Sequence, residues 1–140
     1  MKMYNGEDLI LGRLASLAAK QALLGEEVII VNCEKMIVSG NKAGIFAKFK
    51  QFINRGGYPL KSQNISRLPE RYVRRCIRGM LPWKQARGKE AFRRVMCYRG
   101  MPDEFAGKEM VVTKGISMQK LPTLYYTTVG EMCKINGGKF

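Results

Sequence analysis

Four arginines, Arg71, Arg74, Arg75 and Arg78, recur at i, i+3, i+4 and i+7, and Val73, Cys76, Ile77 and Met80 repeat that spacing two positions later. Two residues turn an α-helix by about 200°. A helix here therefore carries an arginine edge and, opposite it, an apolar edge that fastens the charges to a core. Each guanidinium is a planar fork of donors suited to phosphate oxygens, and it can also stack on a base. Like charges at this spacing repel one another. An ordinary solvated helix face mixes its signs, whereas no acidic side chain lies among these arginines. The chemistry they point to is capture of a polyanion.

The basic run continues through Lys84, Arg87, Lys89, Arg93, Arg94 and Arg99. From 71 to 99 it holds ten Lys or Arg against one acid, Glu90, and so carries +9 of a net +14. Self-repulsion on that scale calls for a neutralising partner, with nucleic acid the first candidate. Trp83, beside Lys84 and after Pro82, offers a ring on which a base or a cation can lie, with core anchoring as the plainer role. Tyr72, Phe92 and Tyr98 read as core. Arg87-Gly88-Lys89 reads either as a turn that brings backbone close to a phosphate or as an ordinary glycine helix boundary. Ser39-Gly40-Asn41-Lys42 could take a phosphate on free N–H groups at a helix start, but it lacks the spacing of a nucleotide-binding loop and reads first as a cap.

Catalysis finds little to work with. The absence of histidine removes the commonest general base and the Ser/His and Cys/His nucleophile systems. Cys33, Cys76, Cys97 and Cys133 are far apart, form no CxxC pair and read as small core residues rather than zinc ligands. Asp103-Glu104 reads as a solvated loop pair, not a metal site. No catalytic residue, metal, cofactor or small-molecule substrate is expected. The longest unbroken apolar runs are four residues, Val28–Val31 and 95–98, so no membrane partner is expected. Glu7 and Asp8 precede any apolar stretch, unlike a secretory signal, and the expected location is cytoplasmic.

The elements that must hold the arginines can be read from periodicity. The chain's 140 residues, 46% hydrophobic, suit one domain over 1–140. Leu11, Leu14, Ala15, Ala18 and Ala22 make a helical stripe that stops at Gly25, giving a helix of about four turns. Val28-Ile29-Ile30-Val31 has no polar alternation, as in a strand covered on both faces. Residues 36–38 suggest a second strand, and the capping residues after it open a helix over 42–53 with the stripe Ile45, Phe46, Phe49, Phe52 and Ile53. Residues 54–68 read as loop, with Gly56, Gly57 and Pro59 breaking any period and Ser62, Asn64 and Ser66 favouring turns. Pro69 starts the arginine helix, which runs to about Gly79, and a short helix follows over 89–94. Strands are expected at 95–98 and 124–127, with a brief pairing at 110–112. Thr128 with Glu131 forms a capping-box pattern for a closing helix that ends at Gly137-Gly138.

Three motifs in order, LGRLAS, VNCEKMIVSG and RRCIRGMLPWKQARGKEAF, give the chain from Leu11 to about Gly107 a resemblance to the large-subunit ribosomal protein family L-thirteen. RGMLP at 78–82 is the strongest of them. Arg87-Gly88-Lys89-Glu90-Ala91-Phe92 and Tyr98-Arg99-Gly100-Met101-Pro102 look like the archaeal and eukaryotic branch, and the HPH-containing segment of bacterial members is absent. The resemblance implies a three-layer α/β/α domain with a small, largely parallel sheet of about four strands and basic helical and loop extensions. It implies binding to large-subunit ribosomal RNA beside neighbouring large-subunit proteins, support of subunit assembly, and no enzymatic role. The expected RNA contacts are Arg71, Arg74, Arg75, Arg78, Trp83, Lys84, Arg87, Lys89, Arg93, Arg94 and Arg99, with Arg13 a further candidate. Residues 54–68, where the family's Pro-rich loop is only partly matched, and those beyond Gly107 depart from the pattern. Charge and spacing alone leave two other readings open: a free regulatory RNA- or DNA-binding module, and an enzyme on nucleic acid that uses carboxylates and lysines.

Overall fold

The computed structural model describes residues 1–56, 65–111 and 115–140. Its order is β1 (Lys2–Asn5), α1 (Leu11–Leu23), β2 (Val28–Val31), β3 (Ile37–Ser39), α2 (Lys42–Ile53), α3 (Pro69–Met80), α4 (Ala86–Arg93), β4 (Val95–Cys97), β5 (Tyr126–Thr128) and α5 (Val129–Ile135). Short 3-10 turns occupy Cys33–Lys35, Asp103–Phe105 and Met118–Lys120. β2 lies between β1 and β4 in a parallel sheet, and β3 pairs with β5 in an antiparallel ladder. The fold is thus the α/β layout with a small, mostly parallel sheet. Its described strands number five and fall into two sheets, finer than the single sheet of about four that the motifs implied.

β2 is buried along its whole length because its two sets of side chains face different cores. Val28 and Ile30 join Leu14, Ala15 and Ala18 of α1, Val73 and Ile77 of α3, and Ala91 of α4. Ile29 and Val31 face the other way, where Met3 and Phe105 cover them with Tyr98 and Met110 alongside. On that second face the covering layer is the 3-10 turn Asp103–Phe105 and its neighbours. A sheet of strands only three or four residues long presents few side chains there, and one phenyl ring with its flanks spans them. The alanines of α1 matter for the opposite reason. Small side chains at the interface let α3 and α4 approach α1 closely while still excluding water.

Several elements sit where the sequence places them, and the departures have identifiable causes. α2 spans Lys42–Ile53, and Asn41 caps it by accepting from the Ala43 N–H at 3.1 Å. β1 has no counterpart in the sequence reading. It is short, opens on Lys2 and runs into a turn, and it becomes a strand only because β2 lies beside it, with Met3 opposite Ile29 and Tyr4 opposite Ile30. β5 is Tyr126–Thr128 rather than 124–127, since the ladder with β3 ends at Ser39 opposite Tyr126 and leaves Leu124 and Tyr125 92% and 72% exposed. The loop expected at 54–68 is seen at 54–56 and 65–68; Gly57, Pro59, Ser62 and Asn64 lie outside the described residues, as does Val112 of the pairing expected at 110–112. Val111 does donate its N–H to the Met3 carbonyl at 2.8 Å.

α4 begins at Ala86, three residues before the expected start, so Arg87-Gly88-Lys89 is helix and neither a phosphate-approaching turn nor a boundary. Gly88 is needed for packing. A Cβ there would lie 2.1 Å from the Pro82 carbonyl oxygen, so this helix can rest on the turn that follows α3 only through a bare backbone. α5 is capped by Thr128, which accepts from the Glu131 N–H at 3.2 Å, while the Glu131 carboxylate takes the Thr127 hydroxyl at 2.9 Å instead of closing the box on Thr128. That hydrogen bond, with the Lys42 charge at 3.7 Å, holds the Glu131 carboxyl below its ordinary value of 4.5.

Two outcomes follow from these contacts. Gly88→Ala should destabilise the chain by about 1–3 kcal/mol through overpacking, reversing the gain of roughly 1 kcal/mol that alanine brings to an unstrained helix. Gly79→Ala, where a Cβ meets nothing within 4 Å, should not destabilise it, and urea unfolding of both variants reads the contrast. Because the folded value of Glu131 is lowered, its contribution is fully present above the unfolded value near 4.5 and is lost as pH falls through the folded one. Glu131→Gln should therefore lower stability at neutral pH and converge on the parent protein in acid, read from unfolding midpoints across pH.

Candidate nucleic-acid interface

α3 is the element that makes the site. Pro69 opens it, and its opposite edge is fixed by Val73 and Ile77, both 0% exposed. Cys76 is half-buried. Met80, expected on the buried edge, is instead 44% exposed at the last turn, because the chain leaves the helix there and Leu81 takes the buried place. Its sulfur accepts from the Ser16 hydroxyl at 3.5 Å.

The arginine edge is ordered by aromatic rings brought from three other places. The Arg74 guanidinium carbon lies 4.5 Å from the centre of the Phe92 ring on α4, that of Arg75 lies 4.9 Å from Phe52 on α2, and that of Arg78 lies 5.3 Å from Trp83 in the turn between α3 and α4. Trp83 and Phe92 meet edge to face at 5.0 Å and 86°, so the rings brace each other. Trp83, 39% exposed, is therefore both a partial anchor and a cation platform. Such contacts contribute about 0.5–2 kcal/mol each and draw a cation toward the negative ring face. Arg74 also donates from Nη2 to the Phe92 carbonyl at 3.5 Å, and its buried Nε–H has no acceptor among the described residues. Arg71 is exposed at the end of the row.

These groups border a hollow of about 390 Å³ that the four arginines share with Ser66 and Phe92, and no carboxylate lines it. Glu26, Glu7 and Glu131 form ion pairs with the N-terminus, Lys35 and Lys42, away from this face. Beyond it, Lys84, Arg87, Lys89 and Arg93 are exposed along the turn and α4, with the Arg87 Nε–H held by the Gln85 side chain at 2.9 Å. Two expected contact residues are directed elsewhere. Arg94 is half-buried and donates to the Ala22 carbonyl at 3.4 Å, at the carbonyl end of α1, where a cation offsets the helix dipole. Arg99 lies over the Phe140 ring at 5.6 Å. Arg13 is tied to the Gly115 carbonyl at 3.0 Å.

Phe52 and Phe92 are the site residues that sequence reasoning assigned only to packing. Phe52 falls in the helical stripe of α2, and nothing local indicates that the edge of this stripe meets an arginine; α2 and α3 are joined through Phe49 and Tyr72, edge to face at 5.1 Å. Phe46, Phe52 and their neighbours are only partly buried, while Phe49 is buried. Among the described residues no helix is long and apolar enough to cross a membrane, and no three His, Cys, Asp or Glu side chains gather as metal ligands.

A family model described as ribosomal protein L13 matches residues 1–104. The chain is 40% identical over 140 residues to the large ribosomal subunit protein uL13 of Methanococcoides burtonii, and the alignment covers all of both chains. It is 42% identical over 144 residues to uL13 of Methanococcus maripaludis, again across both whole chains. Against uL13 of Archaeoglobus fulgidus it is 39% identical over 129 residues, which span 91% of this chain and 82% of that protein. The full-length alignments extend past Gly107, where the motif resemblance stops.

The four cysteines stay outside the site's chemistry. All are free; Cys33, Cys97 and Cys133 are buried and Cys76 is half-buried. The Cys33 thiol is pushed up by its hydrogen bond with Cys97 and then by burial, Cys76 is pushed up by burial, and Cys133 is pushed up to about 12 by burial and by the Glu70 charge. Thiolate is the reactive form. At neutral pH these three thiols should resist a disulfide reagent in the folded protein and react together only on unfolding, so the labelling rate should follow the denaturation curve.

Proposed function

Because the chain belongs to the ribosomal protein L13 family, we propose that it is a structural constituent of the large ribosomal subunit that binds large-subunit ribosomal RNA and supports subunit assembly. The observation that carries this reading is the shared hollow of Arg71, Arg74, Arg75 and Arg78, which gathers cations on one rigid face and admits no carboxylate. Trp83, Lys84, Arg87, Lys89 and Arg93 extend that face along α4 as the further contacts. Arg94, bound to the end of α1, and Arg99, against Phe140, contribute positive charge from its flanks. The chain acts in the cytoplasm as part of the ribosome, without enzymatic chemistry of its own.

Neighbouring large-subunit proteins are the second class of partner. Leu23, Leu24 and Met80 form exposed apolar surface around the end of α1, in a hollow they share with Ser16, Ala19 and Lys20. Apolar surface of that kind suits protein contact more than a phosphate backbone.

Tagged protein should co-sediment with large subunits through a moderate salt wash; recovery only in ribosome-free fractions would count against the proposal and favour a free regulatory RNA-binding module. Phosphate contacts release counterions, so affinity for purified large-subunit RNA should fall linearly in log–log form with salt. Replacing Arg74, Arg75 and Arg78 by alanine together should reduce that slope by roughly two to three. An unchanged slope would remove these residues from the interface.

A further inference from the structure

Positive charge on this molecule does not end with α3 and α4. From Lys35 to Pro69 the chain holds seven Lys or Arg and no Asp or Glu, a charge of +7. With the +9 of residues 71–99 this exceeds the whole net +14, so the rest of the chain sums to a small negative charge. α2 runs through the middle of the acid-free stretch. Phe49 is its buried residue, and Ile45, Phe46, Phe52 and Ile53 pack beside it. On the opposite side Gly44, Ala47, Lys48 and Gln51, at i, i+3, i+4 and i+7, form an exposed stripe, flanked by exposed Lys50 and, just past the helix end, Arg55. Among the described residues, the ion pair of Lys42 with Glu131 is the only one this helix makes.

Two observations tie the stripe to a polyanion. The Arg55 guanidinium carbon lies 5.6 Å from the centre of the Phe52 ring, and the same ring receives Arg75 of α3 at 4.9 Å. One ring thus joins the α2 cations to the arginine face, and the two surfaces are continuous. Gly44 supplies the second observation. A Cβ there would meet nothing within 4 Å, so no contact inside the chain calls for glycine, which forms helix less readily than alanine. Beside Ala47, it leaves room for the backbone of a partner to come close to the helix.

We propose that α2 is a second RNA contact, in which Lys48, Lys50 and Arg55 bind backbone phosphates drawn close against Gly44 and Ala47. The proposal rests on the reading of this protein as RNA-binding and extends it to a helix outside the basic run that begins at Arg71. Continuity favours RNA over an acidic protein, because one chain of phosphates that crosses Phe52 meets cations of both helices. A lysine ammonium holds phosphate as a point charge and reads no base edge. The α2 contact therefore adds affinity and fixes position without choosing sequence.

The test uses the full chain and purified large-subunit ribosomal RNA, with affinities measured across salt and a melting curve for each variant. Lys48→Gln, Lys50→Gln and Arg55→Gln together should lower the log–log salt slope by roughly two to three. Lys20→Gln, Lys108→Gln and Lys120→Gln, the same change in net charge placed elsewhere, should leave the slope near that of the parent. Gly44→Gln, which alters no charge, should keep the melting temperature and weaken RNA binding about tenfold. If the α2 triple unfolds, Gly44→Gln decides. Equal slopes for the two triples would overturn the proposal by reducing α2 to its share of net charge, and full affinity in Gly44→Gln would overturn it as well. So would an α2 triple that binds the naked RNA normally yet no longer co-sediments with large subunits, an outcome that assigns this face to an acidic protein neighbour. Failure of the underlying reading is distinct, since the alanine triple at Arg74, Arg75 and Arg78 would then also leave RNA affinity and slope untouched.

Discussion

Holding four guanidinium groups together on one face of a single helix is the constraint on which the rest of the structure depends. Arg71 with Arg74 and Arg75, and Arg78 with Arg74 and Arg75, are like-charged neighbours at three- and four-residue spacing, each pair costing about 0.2–0.5 kcal/mol. Against this, full burial of Val73 and Ile77 contributes about 1.5–3 kcal/mol each, and each ring contact adds roughly 0.5–2 kcal/mol. The apolar edge wins by a clear margin. The helix is therefore stable because of what lies behind it, and the other elements can be understood as what lies behind it: α1 with its alanines, β2 and β4 of the sheet, and α4 seated on the turn at Pro82.

That dependence explains why β2 has to be covered on both sides. Its inward residues Val28 and Ile30 meet the helices that carry the arginines, so its other residues, Ile29 and Val31, need cover from elsewhere. β1 supplies the neighbouring strand and Phe105 supplies the ring. A parallel strand of four apolar residues cannot stand with one face wet, and the chain after β4 folds back across it for this reason.

The sequence made some of this legible and not the rest, and the division follows the range of the interactions. α2, with its cap at Asn41, and α3, with its period and Pro69, are written in residues a few positions apart. β2 is written in its β-branched run. β1 depends on a partner more than twenty residues away, the start of α4 depends on the carbonyl of Pro82 touching a backbone without a side chain, and the end of β5 depends on where β3 stops. Within the site the cations were legible as charges and their directions were not. Arg93 and Arg94 are adjacent in the chain, yet Arg93 is exposed on α4 and Arg94 binds the end of α1. Phe52 and Phe92 carry apolar signatures indistinguishable from core, and only the tertiary arrangement turns them into supports for arginine.

The distribution of acids completes the argument. Of the chain's 11 carboxylate side chains, Glu7, Glu26 and Glu131 make exposed pairs with Lys35, the N-terminus and Lys42, and none of these reaches the α3 hollow. Exposed pairs of this kind contribute little to stability, about 0–1 kcal/mol each. Their larger effect is where they spend negative charge. Screening over roughly 8 Å at physiological salt means a carboxylate dampens only its own neighbourhood, so these three pairs do little to the potential of the arginine face. Four like charges on one helix face carry residual repulsion, which a bound polyanion would reduce. On the proposed RNA-binding reading, binding and folding are coupled: a polyanion bound at the hollow would stabilise the same helix that presents it.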